Sequence, residues 1–272
     1  MTSTFRQTTV TAVFIALLLR HTACAQTDWT LESPDGKVAI RVGLADNARL
    51  QYDVSCDRLV VVSRSPLGIS RKDQSFVDGL KFVEAGAVKT IDETYTMTSG
   101  KRKICRNFAN EQTLVFQNAD GAKVELTLRA YNDGVAFRYR FPQESQDKYI
   151  VTGESTGFRL PVGGKVWAHP YDNPTKYTPA YETYYVNGVP VGTASTIEAG
   201  WAFPLLACTS DRSRWLLVTE AGVEPSTCGT RLARSAPDGL YTIRLPDEGE
   251  GNHTGVVEPS WTLPWASSWR VI

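Results

Sequence analysis

Apolar and polar residues alternate strictly over long parts of this chain. Val124, Leu126, Leu128 and Ala130 fall on one side of an extended segment, and Lys123, Glu125, Thr127 and Arg129 fall on the other. The next run repeats the device, with Val135, Phe137, Tyr139 and Phe141 against Ala136, Arg138 and Arg140. A period of two marks a strand with one buried face. Between the runs lies Tyr131-Asn132-Asp133-Gly134, and Asn, Asp and Gly tolerate the positive φ of a short hairpin turn. The two runs are therefore predicted to form a hairpin.

The same alternation appears at Val38, Ile40 and Val42, after a Pro34-Asp35-Gly36 turn, and at Leu114 and Phe116, before an Asn118-Ala119-Asp120-Gly121 turn. Residues 215–218 and 240–245 read as later strands. No stretch of helical length carries a 3.6-residue apolar stripe, and the best helical candidate, residues 74–85, is interrupted by Gly79. The pattern predicts an all-β protein built as a large antiparallel sandwich.

The two ends break this texture. Arg6 precedes an apolar run from Val10 to Leu19, and small residues follow up to Ala23-Cys24-Ala25. This has the layout of a cleavable export signal over residues 1–25, with Gln26 as the mature start. The run is too short to span a bilayer, which takes roughly 20 apolar residues, so no membrane span is expected. A lipidation signal ending at Cys24 is disfavoured, because His21 stands where an aliphatic residue belongs. Residues 26–272 are expected to form one large β-domain. At the other end, Trp261 to Ile272 is rich in tryptophan and closes on Trp269-Arg270-Val271-Ile272. Chain termini are commonly polar and frayed, so the sequence is expected to continue into a longer protein.

Charge and cysteine content narrow the partners. Basic and acidic residues balance at 29 each, so a nucleic-acid partner is not supported. The basic triplet Lys101-Arg102-Lys103 reads as a solvated loop or strand edge. Cys56, Cys105, Cys208 and Cys228 remain after export; Cys208 and Cys228 flank a candidate hairpin and are placed to pair, although the connectivity stays open. Only His169 and His253 survive signal removal and no C-x-x-C motif is present, which argues against a zinc site.

Residues 163–200 crowd aromatic side chains among Pro, Asn and Gly: Trp167, His169, Tyr171, Tyr177, Tyr181, Tyr184 and Tyr185. Rings on loops suit the C–H faces of sugars. The competing reading is that they plug the end of the sandwich or pack on another domain. Glycoside chemistry needs two carboxylates at a set separation. Glu154, Asp172, Glu182, Glu198, Glu220 and Glu224 are available, but most are expected to be solvated. Glu182, within Tyr-Glu-Thr-Tyr-Tyr, is expected to be partly desolvated by its aromatic neighbours, and a hard cation such as calcium suits such a group. No nucleophile elbow and no phosphate loop is present.

At these residues the sequence resembles the N-terminal domain of glycoside hydrolase family 97, bacterial exo-acting α-glucosidases and α-galactosidases. The similar stretches are Leu-Glu-Ser-Pro-Asp-Gly-Lys at 31–37, Asn-Phe-Ala-Asn-Glu at 107–111, residues 129–142 and the Tyr-Glu-x-x-Tyr around Glu182. The closing Pro-Trp and Ser-Trp-Arg-Val-Ile also look like the family's exit from this domain, with Ala-Ser-Ser-Trp-Arg where the family more usually has Thr-Pro-Trp-Arg. The resemblance covers nearly all of the mature chain. It implies a β-super-sandwich of the galactose-mutarotase-like kind, followed by a catalytic (β/α)₈ barrel that supplies the acid and the base or nucleophile. It also implies a calcium ion near the substrate, with one glutamate ligand from this domain, and Glu182 is the candidate by its motif.

The leading expectation is thus an exported, periplasmic or secreted bacterial domain, inactive alone and accessory to a calcium-dependent exo-α-glycosidase. It would pack on the barrel and help wall a pocket for α-linked gluco- or galacto-oligosaccharides. Trp167, His169, Tyr171, Tyr181 and Tyr184 are the candidates for contact with carbohydrate or with the barrel. The alternatives are a stand-alone carbohydrate-binding module and a non-catalytic interaction fragment. Mutarotase activity is not expected, since fold does not carry function and the two histidines stand far apart in sequence.

Overall fold

A computed structural model of the chain describes residues 27–173, 182–250 and 257–272. The expected export signal lies outside them. Twenty strands and two short 3₁₀ turns are present among the described residues. An antiparallel meander comes first: β1 (Asp28–Glu32), β2 (Val38–Ala45), β3 (Arg49–Cys56) and β4 (Leu59–Pro66), in that spatial order. The other strands join in one larger sheet. Its first members are β5 (Ile69–Arg71), β6 (Ser75–Phe76), β7 (Lys81–Ala85), β8 (Lys89–Thr96), β9 (Ile104–Gln117), β10 (Lys123–Tyr131) and β11 (Gly134–Glu154). Then come β12 (Gly157–Arg159), β13 (Lys165–Pro170), β14 (Val186–Pro190), β15 (Trp201–Cys208) and β16 (Trp215–Ala221). The last are β17 (Arg231–Leu232), β18 (Leu240–Arg244), β19 (Ser260–Ala266) and β20 (Trp269–Val271).

The inner face of the meander packs on the inner face of β9 to β11, as a sandwich requires. Tyr52 meets Phe137 at 5.0 Å between ring centroids, and Trp29 meets Phe116 at 5.4 Å. The residues that alternate in sequence fill one contiguous core, among them Ile40, Val42, Leu114, Leu126, Leu128 and Phe137. Polar atoms carried inward are bonded: the Tyr52 hydroxyl donates to the Gly157 carbonyl at 2.9 Å, and the Tyr139 hydroxyl accepts from the Gly68 N–H at 2.8 Å.

The β10–β11 hairpin has the expected register, with Tyr131 opposite Gly134. The reason for its turn is different. Neither Asn132, Asp133 nor Gly134 has a positive φ. Gly134 is needed because a Cβ there would strike the carbonyl of Ile272, which accepts a hydrogen bond from the Val135 N–H at 2.8 Å. Left-handed turn residues lie instead between β2 and β3, at Asn47 (φ 58°) and Ala48 (φ 51°), and between β3 and β4, at Asp57 (φ 48°) and Arg58 (φ 68°). Residues 74–85 are extended, as β6 and β7 joined through Gly79 with φ 61°.

Two further expectations are corrected. β11 does not stop near Phe141 but runs on to Glu154, pairing in turn with β20, β19 and β5. Cys208 and Cys228 are not paired; all four described cysteines are free thiols. In the tryptophan-rich segment at 261–272, Trp265 stacks on Phe141 at 5.7 Å and β20 is held between β11 and β16, while Trp261 stays 48 % exposed.

Candidate functional site

The aromatic-rich stretch starts in a strand rather than a loop. β13 sits between β14 and β15, so alternate residues Val166 and Ala168 are buried. Trp167, on the opposite face, packs on Trp215 at 5.0 Å and beside Gly188, where a Cβ would come within 3.4 Å of the indole. His169 is buried. Its Nε2 lies 2.7 Å from the Thr183 carbonyl and 3.0 Å from the Thr183 hydroxyl, which itself donates to the Pro170 carbonyl at 2.8 Å. A carbonyl only accepts, so this contact assigns a proton to Nε2. The Tyr185 ring covers His169 at 4.7 Å. Residues 183–185 are thereby clipped onto the end of β13.

Tyr171 is buried too, beneath a charged cluster. The Arg231 guanidinium lies 4.5 Å above its ring, a favourable place for a cation. Arg231 is 1 % exposed and is held by Glu250 at 2.8 and 2.6 Å and by Asp247 at 2.9 Å. Asp247 also takes Arg244 at 2.7 and 2.8 Å. Burial works to lower the Arg231 pKa, but the hydrogen bond and charge of Glu250, with Asp247, outweigh it and raise it. Trp167, His169 and Tyr171 thus act as floor and fastening.

What faces solvent above that floor is a short lip. Glu182 is exposed, Tyr184 is 93 % exposed and Tyr185 is 55 % exposed. The expected desolvation of Glu182 is therefore corrected: its carboxylate points to water and makes no hydrogen bond or ion pair with any described residue. Tyr177 and Tyr181 lie outside the described residues. No group of three or more His, Cys, Asp or Glu gathers to hold a metal among the described residues.

The remaining carboxylates do not assemble into an acid–base pair. Glu198 bonds Arg234 at 2.9 Å, and Asp172 caps the Asn173 N–H at 2.8 Å. Glu154 and Glu220, expected to be solvated, are buried to 2 % and 11 % side-chain exposure. Arg270 on β20 joins them: Nε donates to Glu154 at 2.9 Å, and Nη1 donates to Glu220 at 3.0 Å and to the Ser268 hydroxyl at 2.7 Å. Glu220 also accepts the N–H and the hydroxyl of Thr230, at 2.7 and 3.0 Å. The cavity beside this triad measures about 10 Å³, room for no substrate. Sequence reasoning missed both buried arginine clusters, because an arginine in an alternating strand is assigned to the wet face by default.

No helix among the described residues is long and apolar enough to cross a membrane. Residues 31–272 match the family model described as glycosyl-hydrolase 97 N-terminal. A probable retaining α-galactosidase of Streptomyces bingchenggensis is 28 % identical over 259 residues, covering 91 % of this chain and 38 % of the relative. The retaining α-galactosidase of Bacteroides thetaiotaomicron is 26 % identical over 152 residues, covering 56 % of this chain and 22 % of the relative. Among solved structures, a β-arabinopyranosidase superposes with a TM-score of 0.83 at 31 % identity, over 89 % of this chain and 39 % of that one. A family 97 glycoside hydrolase from Pseudoalteromonas sp. strain K8, in complex with acarbose, shares the fold with a TM-score of 0.71 at 21 % identity, over 89 % of this chain and 35 % of that one. The chain thus spans well under half the length of the relatives it matches, and over that span it belongs to glycoside hydrolase family 97 as the family's N-terminal β-sandwich domain.

Proposed function

We propose that this domain is the accessory, non-hydrolytic part of an exported exo-α-glycosidase, and that it lends Glu182 to a calcium site completed by a catalytic barrel. The observation that carries the proposal is the lip: an exposed carboxylate with no partner among the described residues, on a segment that His169 and Thr183 hold in place. Calcium takes six to eight oxygen ligands. One exposed carboxylate fits that chemistry as a single ligand and cannot supply the site alone. When bound, the ion would give a fixed positive charge between the two domains; the domain's own part is to aim Glu182 and to shape the pocket edge with Tyr184 and Tyr185. The two curated relatives carry α-galactosidase names, so α-galactosides are the first substrates to try and α-glucosides the second. The apolar leader before Ala25 supports export to the periplasm or beyond.

Calorimetry tests the calcium reading without any turnover. Calcium titrated into this chain alone should give no saturable micromolar site. With a family 97 catalytic barrel added in trans, calcium should promote association, and Glu182→Gln should remove that promotion. Association indifferent to both calcium and Glu182 would contradict the proposal.

A further inference from the structure

Three arginines of the central hairpin lie on the outer face of the larger sheet, and one differs from its neighbours. Arg129 bonds Glu111 and Arg140 bonds Glu125, each at 2.7 Å. Arg138 makes no ion pair with a carboxylate among the described residues. Its guanidinium lies on Trp269 at 4.4 Å, where Arg129 also lies at 4.4 Å. Its Nε is buried with no hydrogen-bond partner, and its Nη nitrogens bond no described residue. Burial, and after it the like charge of Arg129, hold its pKa below the ordinary arginine value. Buried donors are ordinarily bonded, so this group lacks an acceptor.

Arg138 opens onto a pocket of about 200 Å³ whose other functional walls are Glu224, Ser226 and Trp261. The pocket is pre-formed. Trp265 Nε1 donates to the Ser226 carbonyl at 3.0 Å, and the Thr227 hydroxyl binds both the N–H and the carbonyl of Glu224, at 2.9 and 3.0 Å. The Glu224 carboxylate is exposed and joins no ion pair among the described residues, Arg138 included. Trp261 is 48 % exposed. One uncommitted donor, one uncommitted acceptor and one half-bare indole therefore converge on a single space.

We propose that this pocket binds one neutral pyranose ring. A free anion would meet Glu224, and a cation would meet Arg138. A neutral polyol uses both groups, its hydroxyls accepting from the guanidinium and donating to the carboxylate while a C–H face rests on Trp261. The volume is below the roughly 300 Å³ at which pockets for drug-sized ligands begin, which suits a single ring. β11, β19 and the turn after β16 build the site, and no residue of the Glu182 lip enters it, so it stands apart from the calcium proposal.

Saturation-transfer NMR and calorimetry on this chain test the site with galactose, arabinose and glucose, and with galacturonate as the charged control. At least one neutral sugar should bind saturably with a dissociation constant on the order of 1 mM. Trp261→Ala and Glu224→Gln should each weaken it by about tenfold or more, as expected when stacking or a charge-assisted hydrogen bond is lost, whereas Glu182→Gln should leave it unchanged. Absence of saturable binding to all three neutral sugars would overturn the proposal, as would binding that survives both pocket variants or that disappears only in Glu182→Gln. Galacturonate bound in preference, and more tightly after Glu224→Gln, would make the pocket an anion site instead. Should Trp261→Ala fail to fold, the exposed Glu224→Gln decides.

Discussion

Replacing Arg270 by methionine should remove a large share of the domain's stability. The guanidinium, 3 % exposed, is the one cation set between two carboxylates of 2 % and 11 % side-chain exposure. Burial alone would lower its pKa, but the charge and hydrogen bonds of Glu154, followed by the charge of Glu220, overcome that and raise it. Methionine fills similar volume and leaves both carboxylates buried without a counter-charge. Removing one partner from a buried pair costs about 3–5 kcal/mol, against a total of roughly 5–15 kcal/mol for a typical domain. Urea unfolding followed by tryptophan fluorescence measures the loss as a fall in midpoint at unchanged slope. Glu154→Gln keeps the cation with Glu220 and loses one charge-assisted bond set, so it should cost less, about 1.5–3 kcal/mol. Adding Glu154→Gln to Arg270→Met should recover part of the loss. A cost below about 1 kcal/mol for Arg270→Met, the range of an exposed ion pair, would refute the claim that this triad holds β20 in the sheet.

Other consequences are local. Arg58→Gly should stabilise by roughly 0.5–1 kcal/mol in the same unfolding assay, because an exposed arginine at φ 68° pays the left-handed penalty that glycine avoids. Gly134→Ala should destabilise by about 1–3 kcal/mol, the usual cost of overpacking, since the new methyl group meets the Ile272 carbonyl. Burial, and then the charge of Glu220, push the Cys228 thiol up to about 12. A group whose pKa rises on folding stabilises fully below its unfolded value near 9 and loses that contribution as the pH climbs toward 12. The native chain should therefore leave Cys228 unreacted with a thiol reagent at pH 8 while the partly exposed Cys56 and Cys105 react. Cys228→Ser should flatten the onset of that fall around pH 8 to 9, before the buried Tyr52, Tyr139 and Tyr241, whose pKa values are also raised by burial, add their own loss at higher pH.

The strands with one wet face were legible in the sequence. Val124 to Ala130 and Val135 to Phe141 alternate because one side meets the core, and the structure buries that side as expected; the other side is only partly wet, with Thr127 and Ala136 buried as well. What escaped was set by contacts between distant segments. Gly134 looks like a turn glycine, yet it is fixed by the carbonyl of Ile272. Arg270, between Trp269 and Val271, reads as the solvated member of a strand and is the buried one, because Glu154 and Glu220 arrive from β11 and β16. The aromatic stretch was visible as a composition, but its division into floor and lip was not. His169 turns inward onto Thr183, and Tyr171 lies beneath Arg231. Glu182 was singled out by its motif alone, and its exposure ran against the expectation drawn from its aromatic neighbours.

Hydrolysis of nitrophenyl α-galactoside and α-glucoside by this chain alone is the most direct test of an accessory role. No release of nitrophenol above the buffer blank is predicted, with or without calcium. Turnover that persists in the Glu182→Gln variant would contradict the account, since it would mean that the sandwich carries an acid and a base of its own.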